Sequence, residues 1–214
     1  MLDLPQTAEG LNVARYTIDG GETGKQRLDV LSSAMHPVTT ALLAIAGVAP
    51  GHRCLDVGCG GGHVSRELAE LVGASGRVVG IDLDATVIQL ARAVVESDSI
   101  ENLEFRVGDA ASVDDGPYDV AYARFLLSHV DNPASLLSRL VAVLAPGGVL
   151  IVEDIDFTGS FCHPDLPAYW RYVELYRETV RRRGGNADIG PTLPALLQAA
   201  GLEDVQLNVC QPPG

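Results

Sequence analysis

Residues 53–64 read RCLDVGCGGGHV, a short apolar run followed by a glycine-rich turn and the start of an amphipathic segment. This is the order of a strand, a tight turn and a helix. Glycine is required where the backbone takes a positive φ, or where a ligand contacts the main chain with no side chain between them. We therefore expect a ligand to bind against this loop.

From Arg53 onward, short apolar runs alternate with longer amphipathic ones, which is typical of repeated βα units on a parallel sheet. The pattern predicts a doubly wound, Rossmann-like α/β fold with a mostly parallel sheet. Five strands are predicted, at Arg53–Val57, Arg77–Ile81, Leu103–Val107, Tyr118–Tyr122 and Gly148–Glu153. Helices are predicted between them at Val64–Val72, Ala85–Glu96 and Pro133–Leu144, the last ended by Ala145-Pro146-Gly147-Gly148.

The length of 214 residues favours one domain, in which residues 51–155 form the ligand-binding core. Residues 1–50 predict a helical leader, divided into two helices by His36-Pro37. Residues 156–190 form an insertion with six of the eleven aromatic residues, and its predicted helix, Pro167–Arg183, is expected to act as a lid. Residues 191–214 predict a helix at Pro194–Ala200 and a strand at Val205–Val209.

The composition restricts the partners. A formal charge of −13 opposes binding to nucleic acid or to anionic membranes, and it favours a small-molecule substrate. The basic run at residues 181–183 ends a predicted helix, where it complements the helix dipole. The longest apolar stretch, Ala41 to Ala49, is too short to span a bilayer, and the N-terminus lacks the pattern of a signal peptide.

The cysteines and histidines show no metal-ligand spacing, so no metal site is predicted. The cysteines, at positions 54, 59, 162 and 210, form no C-x-x-C pair and are interpreted as reduced thiols. A cytoplasmic location follows from these observations.

The spacing within the glycine loop separates the cofactor classes. If Gly58 and Gly60 are the first two glycines of the dinucleotide pattern, His63 stands where the third glycine is needed. The loop instead has the form D-x-G-x-G-x-G, beginning at Asp56, and it closely resembles that of class I S-adenosylmethionine-dependent methyltransferases. Two alternatives stay open: a nicotinamide-dependent oxidoreductase, and a fold relative that binds the cofactor without transferring methyl.

The resemblance runs from about Tyr16 to Gly201 and is greatest to small-molecule methyltransferases allied to quinone-biosynthesis enzymes. Tyr118-Asp119-Val120 looks like the family's fourth strand, and residues 144–148 look like the turn before its fifth. Nucleotide amino-methyltransferases carry Asn or Asp followed by Pro-Pro after strand four. This chain has Ala123-Arg124-Phe125 there, so a base-methylating role is not expected.

Acidic residues at successive strand ends fit this cofactor. Asp82 ends the second predicted strand, where a carboxylate can accept hydrogen bonds from both ribose hydroxyls. The resemblance implies that Asp109 reaches the adenine amine and that Asp56 orients the methionine ammonium. Three carboxylates suit a cationic ligand and would oppose a pyrophosphate. The expected cofactor-binding residues are Tyr16, Asp56, Gly58, Cys59, Gly60, Asp82, Leu83, Asp109, Ala110 and Arg124.

Methyl transfer from a sulfonium requires mainly that the acceptor be aligned with the methyl carbon. An oxygen acceptor must also lose a proton, and His129, soon after strand four, is the candidate general base. The structural alternative is that His129 packs at the start of a helix. Glu153 and Asp154 either face the crevice as base or substrate contact, or merely end strand five.

One feature departs from the family, whose sheet ends with an antiparallel hairpin after the last helix. Only Val205–Val209 is available for it here. The expected explanations are a truncated chain, a short divergent ending, or a homodimer that covers the open edge. A strictly monomeric mass by light scattering would exclude the dimer.

Overall fold

The computed structural model describes residues 21–211, which form six α-helices and five β-strands. All five predicted strands are present, with small differences at their ends. In chain order the elements are α1 (Gly21–Ile45), β1 (Arg53–Val57), α2 (His63–Val72), β2 (Arg77–Asp82), α3 (Ala85–Ser97), β3 (Leu103–Val107), β4 (Tyr118–Arg124), α4 (Pro133–Ala142), β5 (Leu144–Glu153), α5 (Pro167–Arg182) and α6 (Leu193–Ala199).

The five strands form one parallel sheet in the order β3-β2-β1-β4-β5. Val57, the last residue of β1, pairs with Ile81 on one side and with Ala123 on the other. The order reverses between β1 and β4, and ligands of open parallel sheets bind beyond the carboxyl ends of the strands at such a point. The predicted doubly wound fold is confirmed, and it places the glycine loop at this reversal.

Helices cover both faces of the sheet, so each face contributes to its own apolar core. Neighbouring residues of a strand point to opposite faces; Cys54 accordingly belongs to one core and Leu55 to the other. The first core contains Leu43 of α1 with side chains from α2 and α3, and the second contains Leu137 of α4 with side chains from α6. Burial on both faces gives the carboxyl edge of the sheet a rigid base.

The prediction of two leader helices was wrong, because α1 continues through Pro37 as a single helix of 25 residues. Proline removes one backbone hydrogen bond and usually kinks or ends a helix. Here residues on both sides of Pro37 are buried against the body, including Ser32, Thr39 and Leu43. Packing of the residues before and after Pro37 stabilises the helix in spite of the missing backbone hydrogen bond. Within residues 21–211, no helix combines the length and apolarity needed to cross a bilayer.

Two predictions near the C-terminus also need correction. Residues 145–148 were expected to form the turn before the fifth strand, but they lie within β5, which starts at Leu144. The pairing of β5 with β4 shifts register in this region, and Gly147 adopts a φ of 79°. Residues 205–209 form no strand. Leu207 and Val209 are 60% and 91% exposed, so no packing or ladder stabilises this segment. Among the described residues, no strand pairs with the outer edge of β5.

Candidate active site

The glycine loop folds back onto the end of β2. Gly58 and Cys59 both donate their backbone N–H groups to the carbonyl oxygen of Ile81, at 2.8 and 3.1 Å. Gly58, Gly60 and Gly62 have φ values of 68°, 51° and 74°. These left-handed conformations, which disfavour side chains, explain why glycine recurs at alternate positions. The loop is therefore a tight turn whose main chain faces the carboxyl edge of the sheet.

Gly62 has no room for a side chain. A Cβ atom there would lie 2.3 Å from Cζ of Phe105, whereas one at Gly61 would meet only the imidazole of His63, at 3.1 Å. We expect Gly62→Ala to lower the free energy of unfolding by about 2–4 kcal/mol, from the clash and the positive φ together. Gly61→Ala, the matched control, should cost less than ~1 kcal/mol. Equal urea denaturation midpoints for the two variants would contradict this packing.

Asp56 is a buried carboxylate within β1, with 2% of its surface exposed. Its Oδ2 accepts a hydrogen bond from the Ser65 hydroxyl at 2.6 Å. Burial raises the pKa of Asp56 to about 6, although the Ser65 hydrogen bond and the charge of Arg124 act in the opposite direction. Burial also raises the pKa of the neighbouring Cys59 thiol well above its ordinary value, so this thiol is protonated at neutral pH.

Asp82 is a second buried carboxylate and ends β2. Its Oδ2 accepts from the N–H of Gly60 at 2.9 Å, and its Oδ1 accepts from the N–H of Asp84 at 2.9 Å. Burial raises the pKa of Asp82, and the backbone donors only partly offset this effect. Each carboxylate oxygen has a second lone pair, so Asp82 retains acceptor capacity for further hydroxyl donors.

The ends of β2 and β3 present apolar side chains next to these acids. Leu83 and Val107 are each 48% exposed, and Val107 pairs with Asp82 in the sheet. Asp109 is exposed and accepts from the N–H of Ala111 at 2.9 Å, at the start of a short 3-10 turn that includes Ala110. Leu83, Asp109 and Ala110 are among the expected cofactor-binding residues, and Val107 is not, because an apolar residue at a strand end is usually expected in the core.

Arg124 ends β4, and its guanidinium reaches back to α1. Its Nη1 donates to the Thr39 hydroxyl at 3.2 Å, and its Nη2 donates to the Ser32 hydroxyl at 3.5 Å. The next residue, Phe125, has a φ of 52°, which is uncommon for a residue with a side chain. This turn brings Leu126 against the glycine loop, where a Cβ atom on Gly58 would lie 3.1 Å from Leu126 Cδ1.

Glu153 and Asp154, at the end of β5, both have protein partners. Glu153 is buried and accepts hydrogen bonds from the hydroxyls of Tyr122 and of Thr39, the latter at 3.1 Å. Asp154 accepts from the N–H of Ser128 at 3.0 Å and from its neighbour Ile155 at 2.9 Å. Burial raises the pKa of Asp154. These contacts favour the structural alternative for both acids.

His129 ends a 3-10 turn that begins at Leu127, directly after the segment that covers Gly58. Its Nε2 lies 3.4 Å from the hydroxyl of Tyr176, which belongs to α5. The ring of Tyr176 lies 5.2 Å from that of Phe157 and 6.1 Å from that of Tyr172, between centroids. The candidate base therefore contacts a group of aromatic rings that the insertion contributes.

The structure brings most of the sequence-predicted residues to one edge of the sheet. All of them lie at or beyond the carboxyl ends of β1 to β4: the glycine loop, Asp56, Asp82, Asp109, Arg124 and His129. Tyr16 lies outside the described residues. Within residues 21–211, no three His, Cys, Asp or Glu side chains group as metal ligands. Sequence reasoning missed the supports of the loop: Ser65 on Asp56, and Asp29, whose carboxylate lies 2.8 Å from His63 Nε2.

Comparison with known proteins gives consistent results. The sequence profile of a family described as "Methyltransferase domain" matches residues 49–182. An uncharacterized 37.1 kDa protein of a Streptomyces fradiae transposon is 32% identical over 81% of this chain and 50% of its own length. Demethylmenaquinone methyltransferase of Lactococcus lactis is 31% identical over 61% of this chain and 50% of its own. This chain thus spans about half the length of these relatives.

Among solved structures, a Bacillus halodurans C-125 protein that is provisionally named a methyltransferase superimposes on this chain with a TM-score of 0.60. It is 28% identical, and the match covers 76% of this chain and 68% of that one.

Proposed function

Because the chain belongs to the methyltransferase-domain family, we propose that it binds S-adenosylmethionine along the glycine loop and methylates a small-molecule acceptor. One observation carries the proposal: Asp56 and Asp82 are buried beside the loop, and burial raises the pKa of each. Two carboxylates held in a poorly solvated position favour a cationic ligand. S-adenosylmethionine carries both a sulfonium and an ammonium, whereas a dinucleotide would bring a pyrophosphate.

The residues at the site fit this cofactor. The retained acceptor capacity of Asp82 suits the two hydroxyls of a ribose. Leu83 and Val107 offer exposed apolar surface for a purine ring, and Asp109 is the nearby acceptor for its amine. Asp56 attracts the methionine ammonium, directly or through water. The backbone of Gly58, Cys59 and Gly60 allows close approach, while Ala110 and Arg124 complete the proposed contacts.

When bound, S-adenosylmethionine supplies a methyl group already activated on sulfur. The remaining task of the chain is to orient the acceptor, exclude water and remove a proton where the acceptor is a hydroxyl. His129 is the proposed proton acceptor, since it follows β4 at the carboxyl edge and an imidazole titrates near neutral pH. α5 is the proposed lid, because Tyr176 contacts His129 from it.

Two measurements test the proposal. In calorimetric titrations, S-adenosylhomocysteine should bind and NADH should not; binding of NADH alone would favour the oxidoreductase alternative. Incubating the protein with isotope-labelled S-adenosylmethionine and cell extract, then analysing products by mass spectrometry, should reveal a labelled small molecule. Cofactor binding without a labelled product from any tested acceptor would favour the fold relative that does not transfer methyl.

The pKa of Asp56 predicts how cofactor binding depends on pH. Its carboxylate is ionised well above pH 6 and protonated below, because burial raises its pKa to about 6. Affinity for S-adenosylhomocysteine should therefore fall roughly tenfold between pH 7.5 and pH 5, as the negative charge is lost. Asp56→Asn should bind more weakly and lose most of this dependence. The pKa of Asp82 is also raised, so the contribution of Asp56 is the difference in pH dependence between the unmodified protein and Asp56→Asn. Identical pH profiles for these two proteins would contradict the assignment of Asp56 to the cofactor site.

We place the protein in the cytoplasm, in agreement with its four unpaired cysteines. The net charge of −13 supports a small molecule over nucleic acid as the partner. A homodimer that covers the outer edge of β5 remains a proposal.

A further inference from the structure

Six polar side chains lie together where α1 covers the carboxyl ends of β1, β4 and β5. We call them the polar layer: Ser32, Thr39, Asp56, Tyr122, Arg124 and Glu153. The four that belong to strands face α1, because each is at, or two residues beyond, a strand position in the core that contains Leu43 of α1. Five of the six are buried, and Arg124 is partly exposed. Polar groups removed from water in this way must satisfy one another.

Two hydroxyl groups satisfy the carboxylate of Glu153. The hydroxyl of Tyr122 donates to Oε1, and that of Thr39 donates to Oε2 at 3.1 Å. Arg124 pairs with Glu153 in the sheet, yet its guanidinium donates to the hydroxyls of Thr39 and Ser32, at 3.2 and 3.5 Å. Thr39 is thus an acceptor for Arg124 and a donor to Glu153, and it joins the two charged groups through its hydroxyl.

The charge of Arg124 acts on Asp56, whose strand position pairs with Tyr122. It opposes the effect of burial on the pKa of Asp56, which is about 6. Asp56 is the carboxylate that we assign to the methionine ammonium, so its ionised form is the one that attracts the cofactor. The position of Arg124 therefore affects how much of the protein carries an ionised Asp56 near neutral pH.

Building on the proposed binding of S-adenosylmethionine, we propose that Thr39 is a positioning residue of the cofactor site, which holds Arg124 where its charge stabilises the Asp56 carboxylate. An isosteric valine at this position would leave Glu153 short of a donor. The guanidinium of Arg124, its neighbour in the sheet, has N–H groups able to replace that donor. Arg124 would then turn toward Glu153 and away from Asp56. α1 is consequently part of the cofactor site, although the cofactor contacts proposed above belong to other segments.

The pH dependence of S-adenosylhomocysteine binding tests this role, because a merely structural loss would weaken binding equally at every pH. In calorimetric titrations from pH 5 to pH 8.5, the affinity of the unmodified protein should be half-maximal near pH 6. Withdrawal of a positive charge raises the pKa of a carboxyl group, so Thr39→Val should raise this midpoint by about one pH unit. Its binding should be about threefold weaker at pH 6.5 and within about twofold of the unmodified protein at pH 8.5.

Two further substitutions in α1 separate the hydroxyl of Thr39 from general effects on the helix. Thr39→Ser keeps the hydroxyl and should return the midpoint to that of the unmodified protein. Thr40→Val is the matched control, because Thr40 is the next residue of α1 and its hydroxyl donates to Glu67 of α2. A midpoint that rises equally in Thr40→Val, or that does not rise in Thr39→Val, would overturn the positioning role.

Combined variants show whether Thr39 acts through Arg124. Arg124→Gln alone should raise the midpoint at least as much as Thr39→Val, and adding Thr39→Val to it should cause no further shift. Additive shifts would mean that Thr39 acts independently of Arg124, against the proposal. An unshifted midpoint in Arg124→Gln would also refute it, even if Thr39→Val did not fold.

Other groups near Asp56 must be separated from it. The titratable and charged groups around it are Cys54 on β1, Cys59 in the glycine loop, His63 and Arg66 on α2, Asp82 on β2, Tyr122 and Arg124 on β4, Glu153 on β5 and Asp29 on α1. Burial raises the pKa of both thiols and of the Tyr122 hydroxyl, so all three stay protonated up to pH 8.5. Arg124 also lowers the pKa of His63. In an Asp56→Asn background, Thr39→Val should therefore leave the pH profile unchanged; a shift that persists there would belong to His63 and would exclude Asp56 as the target.

Failure of the positioning role and failure of the proposed function give different results. If S-adenosylhomocysteine does not bind the unmodified protein at any pH, the proposed function fails. If it binds, and Thr39→Val has the same pH profile as the unmodified protein, Thr39 has no positioning role although the cofactor assignment stands.

Discussion

Replacing Asp82 with alanine is expected to weaken binding of S-adenosylhomocysteine by about 100-fold or more. The proposed hydrogen bonds join two ribose hydroxyls to a charged acceptor, and each contributes roughly 1.5–3 kcal/mol. The substitution also removes the acceptor that holds the N–H of Gly60, so the glycine loop loses an anchor. Isothermal calorimetry at pH 7.5 measures the effect directly.

Asp84 provides the matched control, two residues away in the same turn. Its carboxylate accepts from the N–H groups of Thr86 and Val87 and thus caps α3. Asp84→Ala should lower the free energy of unfolding by about 1 kcal/mol and leave affinity within a factor of about three. If Asp82→Ala binds as tightly as the unmodified protein, the ribose assignment is wrong. Equal losses in both variants would instead indicate general damage to the turn.

The second large effect is expected at His129. With the acceptor identified by labelling, His129→Ala should lower kcat by about 100-fold or more if the acceptor is a hydroxyl, as removal of a general base does. Cofactor affinity should change less than about twofold, because none of the proposed cofactor contacts is lost. Single-turnover methyl transfer and calorimetry measure the two quantities separately.

His52 provides a control for this substitution, because it precedes β1 at the opposite, amino end of the sheet. His52→Ala should leave kcat unchanged. Full turnover in His129→Ala would assign the residue to packing, as in the structural alternative. A parallel loss of cofactor binding would show that the substitution had disturbed the glycine loop through Leu126.

The strands and their alternation with helices were predictable, because each strand is a short apolar run bounded by turn residues. β1 and β3 were predicted with their observed ends. The same logic placed Asp56, Asp82 and Asp109 at one edge of the sheet, because parallel strands bring their carboxyl ends together. These inferences depend only on periodicity and on spacing within a few residues.

What could not be predicted depends on contacts between distant parts of the chain. Pro37 is a local signal to end a helix, and only burial on both sides explains why α1 continues. Phe125 adopts a left-handed φ that its residue type does not suggest, and its N–H donates to the Glu153 carbonyl at 2.8 Å. Ser65 and Asp56 are nine positions apart, and no local pattern links them.

The hydrogen bonds around Thr39 bear on where the folding unit begins. Thr39 belongs to α1, is wholly buried, donates to Glu153 and accepts from Arg124. It precedes the region matched by the family profile, which starts at residue 49. A chain that started at residue 49 would lack Thr39, which is a hydrogen-bond partner of both the Glu153 carboxylate and the Arg124 guanidinium. The region matched by the family profile and the region joined by these buried hydrogen bonds therefore start at different residues, because the second includes α1.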